Sequence, residues 1–181
     1  ALAAAHEQGV IHRDMKPANC FRLDRMGSQD FIKVFDFGIA KLCDDFTGVT
    51  LTRKGAVVGT PDYMAPEQCR GKTVDTRTDL YAVGVIAFEM LTGRVPFVGR
   101  RPTDIMHAHV YEEAPPMSDL NSKLDAPAGA EAIVRRAMAK DPDQRFQTAR
   151  EFAQAIIDDG EGLPTGKAGG FFRGLKKMFG R

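Results

Sequence analysis

The side chains able to do chemistry crowd into one stretch, His12-Arg13-Asp14-Met15-Lys16-Pro17-Ala18-Asn19. It holds a carboxylate, two cations and an amide within eight residues, behind the apolar pair Val10-Ile11. A second carboxylate follows in Asp36-Phe37-Gly38, and a third landmark reads Gly59-Thr60-Pro61-Asp62-Tyr63-Met64-Ala65-Pro66-Glu67. Carboxylate and amide oxygens are the ligands that hard divalent cations prefer. Between the first two clusters lie two strand candidates, Cys20-Phe21-Arg22-Leu23 and Phe31-Ile32-Lys33-Val34, separated by turn-forming Asp24-Arg25-Met26-Gly27-Ser28. A hairpin with Asn19 before one strand and Asp36 after the other brings both side chains to one end, as a shared metal site requires.

The elements around that hairpin read as helical. Residues 1–8 are rich in the helix formers Ala and Leu, and Gly9 is placed to cap them. A short helix is expected from Met64 to Arg70, after Pro61. Thr78 to Leu91 is apolar nearly all round and closes at Gly93. Such a helix belongs at the centre of a domain, and it is too short to cross a membrane. Three more helices are predicted over 102–112, 129–140 and 148–158. Asp141-Pro142 stops the second, because proline disfavours helix in the residue before it. Thr148 with Glu151 has capping-box spacing and opens the third, whose Phe152, Ala155 and Ile156 recur at helical intervals. Residues 39–58 are polar and aperiodic, a long surface loop of the kind that is usually functional.

Composition bounds the rest. A chain of 181 residues, 43% hydrophobic and 27% charged, suits one soluble domain with a tail. The net charge of +1 gives no overall attraction to nucleic acid. It hides an asymmetry: Lys167, Arg173, Lys176, Lys177 and Arg181 share residues 163–181 with no acid, leaving −4 elsewhere. Cys20, Cys43 and Cys69 form neither a disulfide framework nor a CxxC pattern, which favours a reducing, cytoplasmic setting. The opening Ala-Leu-Ala-Ala-Ala reads as the inside of a helix, not as a signal peptide.

Taken in order, the three landmarks resemble the catalytic loop, the metal-binding turn and the end of the activation segment of a serine/threonine protein kinase of bacterial, eukaryotic-like type. The spacing carries the resemblance. Asp-Phe-Gly begins seventeen residues after Asn19, and Ala-Pro-Glu lies twenty-seven beyond Gly38. It implies a mainly α fold, the C-terminal lobe of the kinase fold, with helices around a buried central helix and short β-hairpins at the cleft. It covers residues 1–158. Residues 159–170, with five glycines and a proline, then read as a linker, and 171–181 as a basic amphipathic tail.

The resemblance also implies roles. The expected function is ATP-dependent phosphorylation of Ser/Thr hydroxyls on protein substrates, with ATP and Mg2+, or Mn2+ in its place. Asp14 orients the substrate hydroxyl and accepts its proton, and Lys16 places positive charge near the transferred phosphoryl. Asn19 and Asp36 hold the metal, while Phe21 lies beneath the adenine ring. Lys16 and the Gly-Thr-x-x-Tyr of 59–63 favour Ser/Thr over Tyr specificity, with Thr60 shaping the floor for the hydroxyl or serving only as a turn threonine. Arg13 is the expected dock for an activation-loop phosphate on Thr50 or Thr52. His12 and Phe37 pack as scaffold, Asp79 accepts hydrogen bonds from the catalytic-loop backbone, and Glu67 with Arg145 forms a buried ion pair.

The kinase template also needs a glycine-rich loop, a strand lysine and a helix glutamate, and residues 1–181 contain no match to them. The expectation is therefore an absent N-terminal lobe and a 181-residue chain inactive by itself. The alternative reading is a non-catalytic docking or pseudokinase-like interaction module. Phe171, Phe172, Leu175, Met178 and Phe179 oppose the tail's cations at helical spacing. That pattern suits an anionic membrane surface or an acidic partner groove, with a disordered solubilising end as the alternative.

Overall fold

The computed structural model describes residues 1–25, 28–37, 61–121 and 129–160. Gly38, the 39–58 loop with Thr50 and Thr52, Thr60, the linker beyond residue 160 and the 171–181 tail lie outside them.

The first helix, α1 (Leu2–Glu7), is stopped as its composition predicts. Gly9 takes φ +72°, its amide bonds His6 O at 3.0 Å, and the Val10 amide reaches back to Ala5 O at 2.9 Å. That pair of bonds closes the helix end and turns the chain into the His12 stretch. A 3₁₀ turn, Pro17–Asn19, then leads into the antiparallel hairpin of β1 (Cys20–Arg25) and β2 (Ser28–Val34). Both strands outrun their predicted limits, and the pairing Cys20↔Val34, Phe21↔Lys33, Arg22↔Ile32 becomes irregular between Leu23 and Arg25.

After a 3₁₀ turn, Pro61–Tyr63, comes α2 (Pro66–Cys69), shorter than the predicted 64–70. The central helix is α3 (Thr76–Thr92). It is buried without a break from Thr78 to Phe88, as its all-round apolar sequence requires. It begins two residues before the predicted Thr78. Asp75 caps it by accepting from the Arg77 amide at 2.8 Å, which makes Asp79 its fourth residue. Next come α4 (Pro102–Tyr111) and α5 (Met117–Leu120), then α6 (Ala130–Ala137) and α7 (Ala149–Gly160). The four-residue α5 has no periodicity to betray it; it exists to bury Met117 completely.

Helix α6 stops at Ala137, short of the predicted 140, before proline can act. The carbonyls of Ala139 and Lys140 turn to accept from the Arg145 guanidinium instead of continuing a helix. Gly84 sets the spacing between α3 and α6: a Cβ there would lie 2.9 Å from Ala137 Cβ and 3.0 Å from Met138 Cγ. Helix α7 opens as predicted, with Thr148 Oγ1 accepting from the Glu151 amide at 3.0 Å, and runs two residues past 158. Phe146 and Phe152 stack in parallel at 4.7 Å beneath it. The core is thus α3 wrapped by the other helices, with the hairpin to one side. Among the described residues no helix is long and apolar enough to cross a membrane.

Candidate active site

The His12–Asn19 stretch is held from below by α3. Asp79 is 1% exposed, and its carboxylate accepts from the His12 amide at 2.8 Å and the Arg13 amide at 2.9 Å. His6 Nε2 shares Asp79 Oδ2 at 2.8 Å, a partner the sequence does not advertise. These contacts secure a backbone that would otherwise be costly. Arg13 sits at φ +64°, a left-handed conformation that a side-chain-bearing residue adopts at a cost of about 1–3 kcal/mol.

His12 is fully buried and serves as a spacer between two loops. Its Nδ1 accepts from the Asp14 amide at 3.2 Å, so Nε2 carries the hydrogen and donates to Phe35 O at 2.8 Å. Its ring lies 4.8 Å from that of Phe37. The Phe35 amide in turn bonds Asn19 O at 2.9 Å. Residues on either side of Asp36 are therefore tied to the loop that carries Asp14 and Asn19. Asp36 itself is exposed, with φ +54°. It is the second side-chain-bearing residue in the left-handed region, and both border the same site.

At the rim, Lys16 Nζ donates to Asp14 Oδ2 at 2.8 Å, each side chain a little over a quarter exposed. Asn19 is 5% exposed and donates from Nδ2 to Asp14 O at 2.8 Å and to Oδ2 at 3.4 Å. With its nitrogen committed to Asp14, the other end of that amide is its carbonyl oxygen, an acceptor suited to a hard cation. Among the described residues there is no cluster of three His, Cys, Asp or Glu side chains that could cage a metal. One carboxylate and one amide oxygen fit a magnesium ion that keeps phosphate and water as its remaining ligands. Phe21 is half exposed on the hairpin, edge-on to the Phe35 ring at 5.0 Å.

Beneath the rim lies a shallow, open cleft bordered by Asp14, Lys16, Tyr63, Met64 and Gln68. The segment forming its far wall is bolted to the core. Arg145 and Glu67 are both buried and form a bidentate pair, with Nη1 and Nη2 each 2.8 Å from a carboxylate oxygen. Thr78 Oγ1 adds a third bond to Glu67 at 2.7 Å, which sequence reading missed. Burial alone would raise the Glu67 pKa, but the hydrogen bonds and charge of Arg145, with the Thr78 hydroxyl, outweigh it and hold the carboxyl below its ordinary range. Tyr63 donates to Glu89 at 2.6 Å, and Gln68 reaches Arg13 O at 2.9 Å. Nothing in the local sequence signals the second contact, which spans fifty-five residues.

The same wall rests on His109, which has no solvent exposure. Nε2 donates to Asp62 O at 3.0 Å, which leaves Nδ1 to accept from the Tyr81 hydroxyl at 2.9 Å. Burial, then the nearby Lys140 charge, push its pKa down to about 4. The unfolded chain therefore binds a proton that the folded one refuses between pH 4 and about 6.5. Stability from this group is complete above pH 6.5 and is lost as pH falls toward 4, on the order of 3 kcal/mol in all. Denaturant titrations from pH 7 to 4 are expected to show that limb in the native chain and not in His109→Gln. An identical slope in both would reject the assignment.

Burial also pushes the Cys20 and Cys69 thiols up to about 11 and about 12, so neither is a thiolate nucleophile.

One loop thus holds a lysine-paired carboxylate and, five residues on, a buried asparagine, and the segment that carries a second carboxylate is tied to it. The model of the protein kinase domain family matches residues 1–156, and the chain belongs to that family. Among its relatives is the serine/threonine-protein kinase Pkn1 of Myxococcus xanthus, 46% identical over 156 residues, covering 86% of this chain and 22% of that protein. Serine/threonine-protein kinase PknB of Mycobacterium tuberculosis is 40% identical over 164 residues, covering 91% of this chain and 25% of that one. The crystal structure of the Mycobacterium tuberculosis PknI kinase domain superposes with a TM-score of 0.58 at 28% identity, covering 87% of this chain and 50% of that chain. The chain thus spans about a quarter of the length of the curated relatives it matches.

Proposed function

We propose that this chain is the substrate-side, C-terminal lobe of a serine/threonine protein kinase that transfers phosphate from ATP to protein hydroxyls. The observation that carries the reading is the Asp14 carboxylate, fixed by Lys16 and Asn19 at the rim of an open cleft. In this role Asp14 orients the attacking hydroxyl and takes its proton. Lys16, already beside Asp14, sets positive charge where the transferred phosphoryl arrives. Phosphoryl transfer asks for positioning and charge stabilisation more than for covalent help. Asn19 and Asp36 would hold magnesium, which supplies neutralisation of the phosphate charge when bound. Phe21, exposed on the hairpin, offers an apolar face to the nucleotide base.

The lobe reading has two supports. The chain matches half the length of a solved kinase-domain chain, and the hairpin leaves Phe21, Leu23 and Phe35 each more than a third exposed. The sequence of residues 1–181 holds no match to a glycine-rich loop or strand lysine, so the chain alone is expected to transfer no phosphate. The experiment measures labelled phosphate passing from Mg·ATP to a Ser/Thr peptide, for this chain and for a longer protein that adds a glycine-rich loop and strand lysine. Transfer by the short chain, abolished in Asp14→Asn, would refute the lobe reading. A longer protein without transfer would favour a docking module instead.

Arg13 lies beside the cleft, and Thr50 and Thr52 belong to the segment leading to its far wall. In the proposed enzyme a phosphate on either threonine docks on Arg13, since it adds roughly −1.5 to −2 charge. Thr50→Ala/Thr52→Ala is expected to lose most of the activated rate; full activity in that double variant would remove the assignment.

A further inference from the structure

We infer that Gln68 is a positioning residue for the catalytic loop, a role that rests on the kinase reading above. Three observations point to it. Gln68 Nε2 donates to Arg13 O at 2.9 Å, bridging fifty-five residues of sequence, while its Oε1 accepts from the Ala65 amide at 3.0 Å. The Arg13 carbonyl and the Asp14 amide belong to one peptide plane. Gln68 holds the carbonyl edge of that plane, and His12 Nδ1 holds its amide edge at 3.2 Å. The plane follows directly on the left-handed Arg13, whose own amide is held by Asp79. A left-handed residue with a side chain persists only where its surroundings over-determine it, and Gln68 supplies the bond on its C-terminal side.

The position of Gln68 is itself fixed. It is the third residue of α2, next to Glu67, which Arg145 and Thr78 lock into the core. The hydrogen-bonded path from the core through Glu67, α2 and Gln68 ends on the peptide that sets the direction of the Asp14 side chain. Gln68 therefore couples the segment that walls the cleft to the carboxylate at its rim. A peptide-plane tilt that displaces a reacting carboxylate by about 1 Å can cost two orders of magnitude in rate.

Two variants separate this role from helix capping. Gln68→Glu keeps an oxygen for the Ala65 amide but replaces the donor facing Arg13 O with a repelling carboxylate. Gln68→Met loses both bonds at similar length. In the longer protein assayed above, Gln68→Glu is expected to lower kcat by tenfold or more with KM for ATP within twofold. The Asp14 amide is also expected to exchange with deuterium at least tenfold faster, while α3 amides keep their rates. A role in capping alone predicts a Gln68→Glu protein indistinguishable from the native one and a Gln68→Met protein altered only in melting temperature. Those results overturn the inference. Should the native longer protein transfer no phosphate, the kinase reading is what fails. The clamp is then decided by exchange, and an unchanged Asp14 amide in Gln68→Glu would reject it.

Discussion

Asp14→Asn in the proposed enzyme is expected to lower kcat about 10²–10⁴-fold, the range a positioned proton acceptor supplies. The substitution keeps the shape of the side chain and removes its charge. Lys16 Nζ then faces either an amide oxygen or an amide NH2 at 2.8 Å in place of a carboxylate, and Asn19 loses its charged acceptor. The hydroxyl to be phosphorylated meets no group able to take its proton. Folding should hardly notice. The Lys16–Asp14 pair is partly exposed, and such pairs contribute about 0–1 kcal/mol. The decisive measurement is therefore kcat alongside the melting temperature. A tenfold or smaller fall in kcat with unchanged melting would remove Asp14 from the chemistry; a large fall with matching loss of structure would leave it a scaffold residue.

Arg145→Met is expected to destabilise the chain by about 3–5 kcal/mol, the cost of breaking a buried pair by removing one partner. All five guanidinium donors are used: two on Glu67, and the others on Ala139 O at 2.8 Å, Arg77 O at 3.1 Å and Lys140 O at 3.2 Å. The group also lies over the Tyr81 ring at 4.9 Å. Methionine fills some of the volume and satisfies none of these partners, and the Glu67 charge is left buried. At about 2–4 °C per kcal/mol for a chain of this size, a fall of roughly 6–20 °C in melting temperature should be seen. Glu67→Gln keeps the shape with a neutral group, so it should cost less. The double variant Glu67→Leu/Arg145→Met should recover the part due to the stranded charge, though not the part due to three stranded carbonyls. A surface-like loss below about 1 kcal/mol in Arg145→Met would show that water replaces the guanidinium.

The pH dependence of that pair follows from the lowered Glu67 pKa. The folded carboxyl holds its proton less tightly than the unfolded one. Its contribution is present above the unfolded value and is lost as pH falls below it. The histidine limb from His109 begins higher, near pH 6.5, so the two acid-sensitive contacts fail in sequence.

Much of the site was legible from residue types and spacing alone. Asp14, Lys16, Asn19 and Asp36 came forward as candidates through motif spacing that resembles a kinase, and short-range hydrogen bonds join the first three. Helix α3 was legible because eleven consecutive buried positions leave no polar face. Gly9 marked a helix end because it can take the left-handed turn at no steric cost. Tertiary structure alone decided the rest. No local pattern says that Gln68 spans to Arg13, that Thr78 completes Glu67, or that Tyr81 and Asp62 meet on the two nitrogens of His109. Those contacts join residues eleven to fifty-five positions apart. Nor could periodicity place the end of α6, where Arg145, held in the core by Glu67 seventy-eight residues away, takes the carbonyls of Ala139 and Lys140. The physical reason is the same throughout. Periodicity and turn chemistry report what a segment does with its neighbours in the chain, whereas a buried polar group is satisfied by whatever the packed fold brings to it.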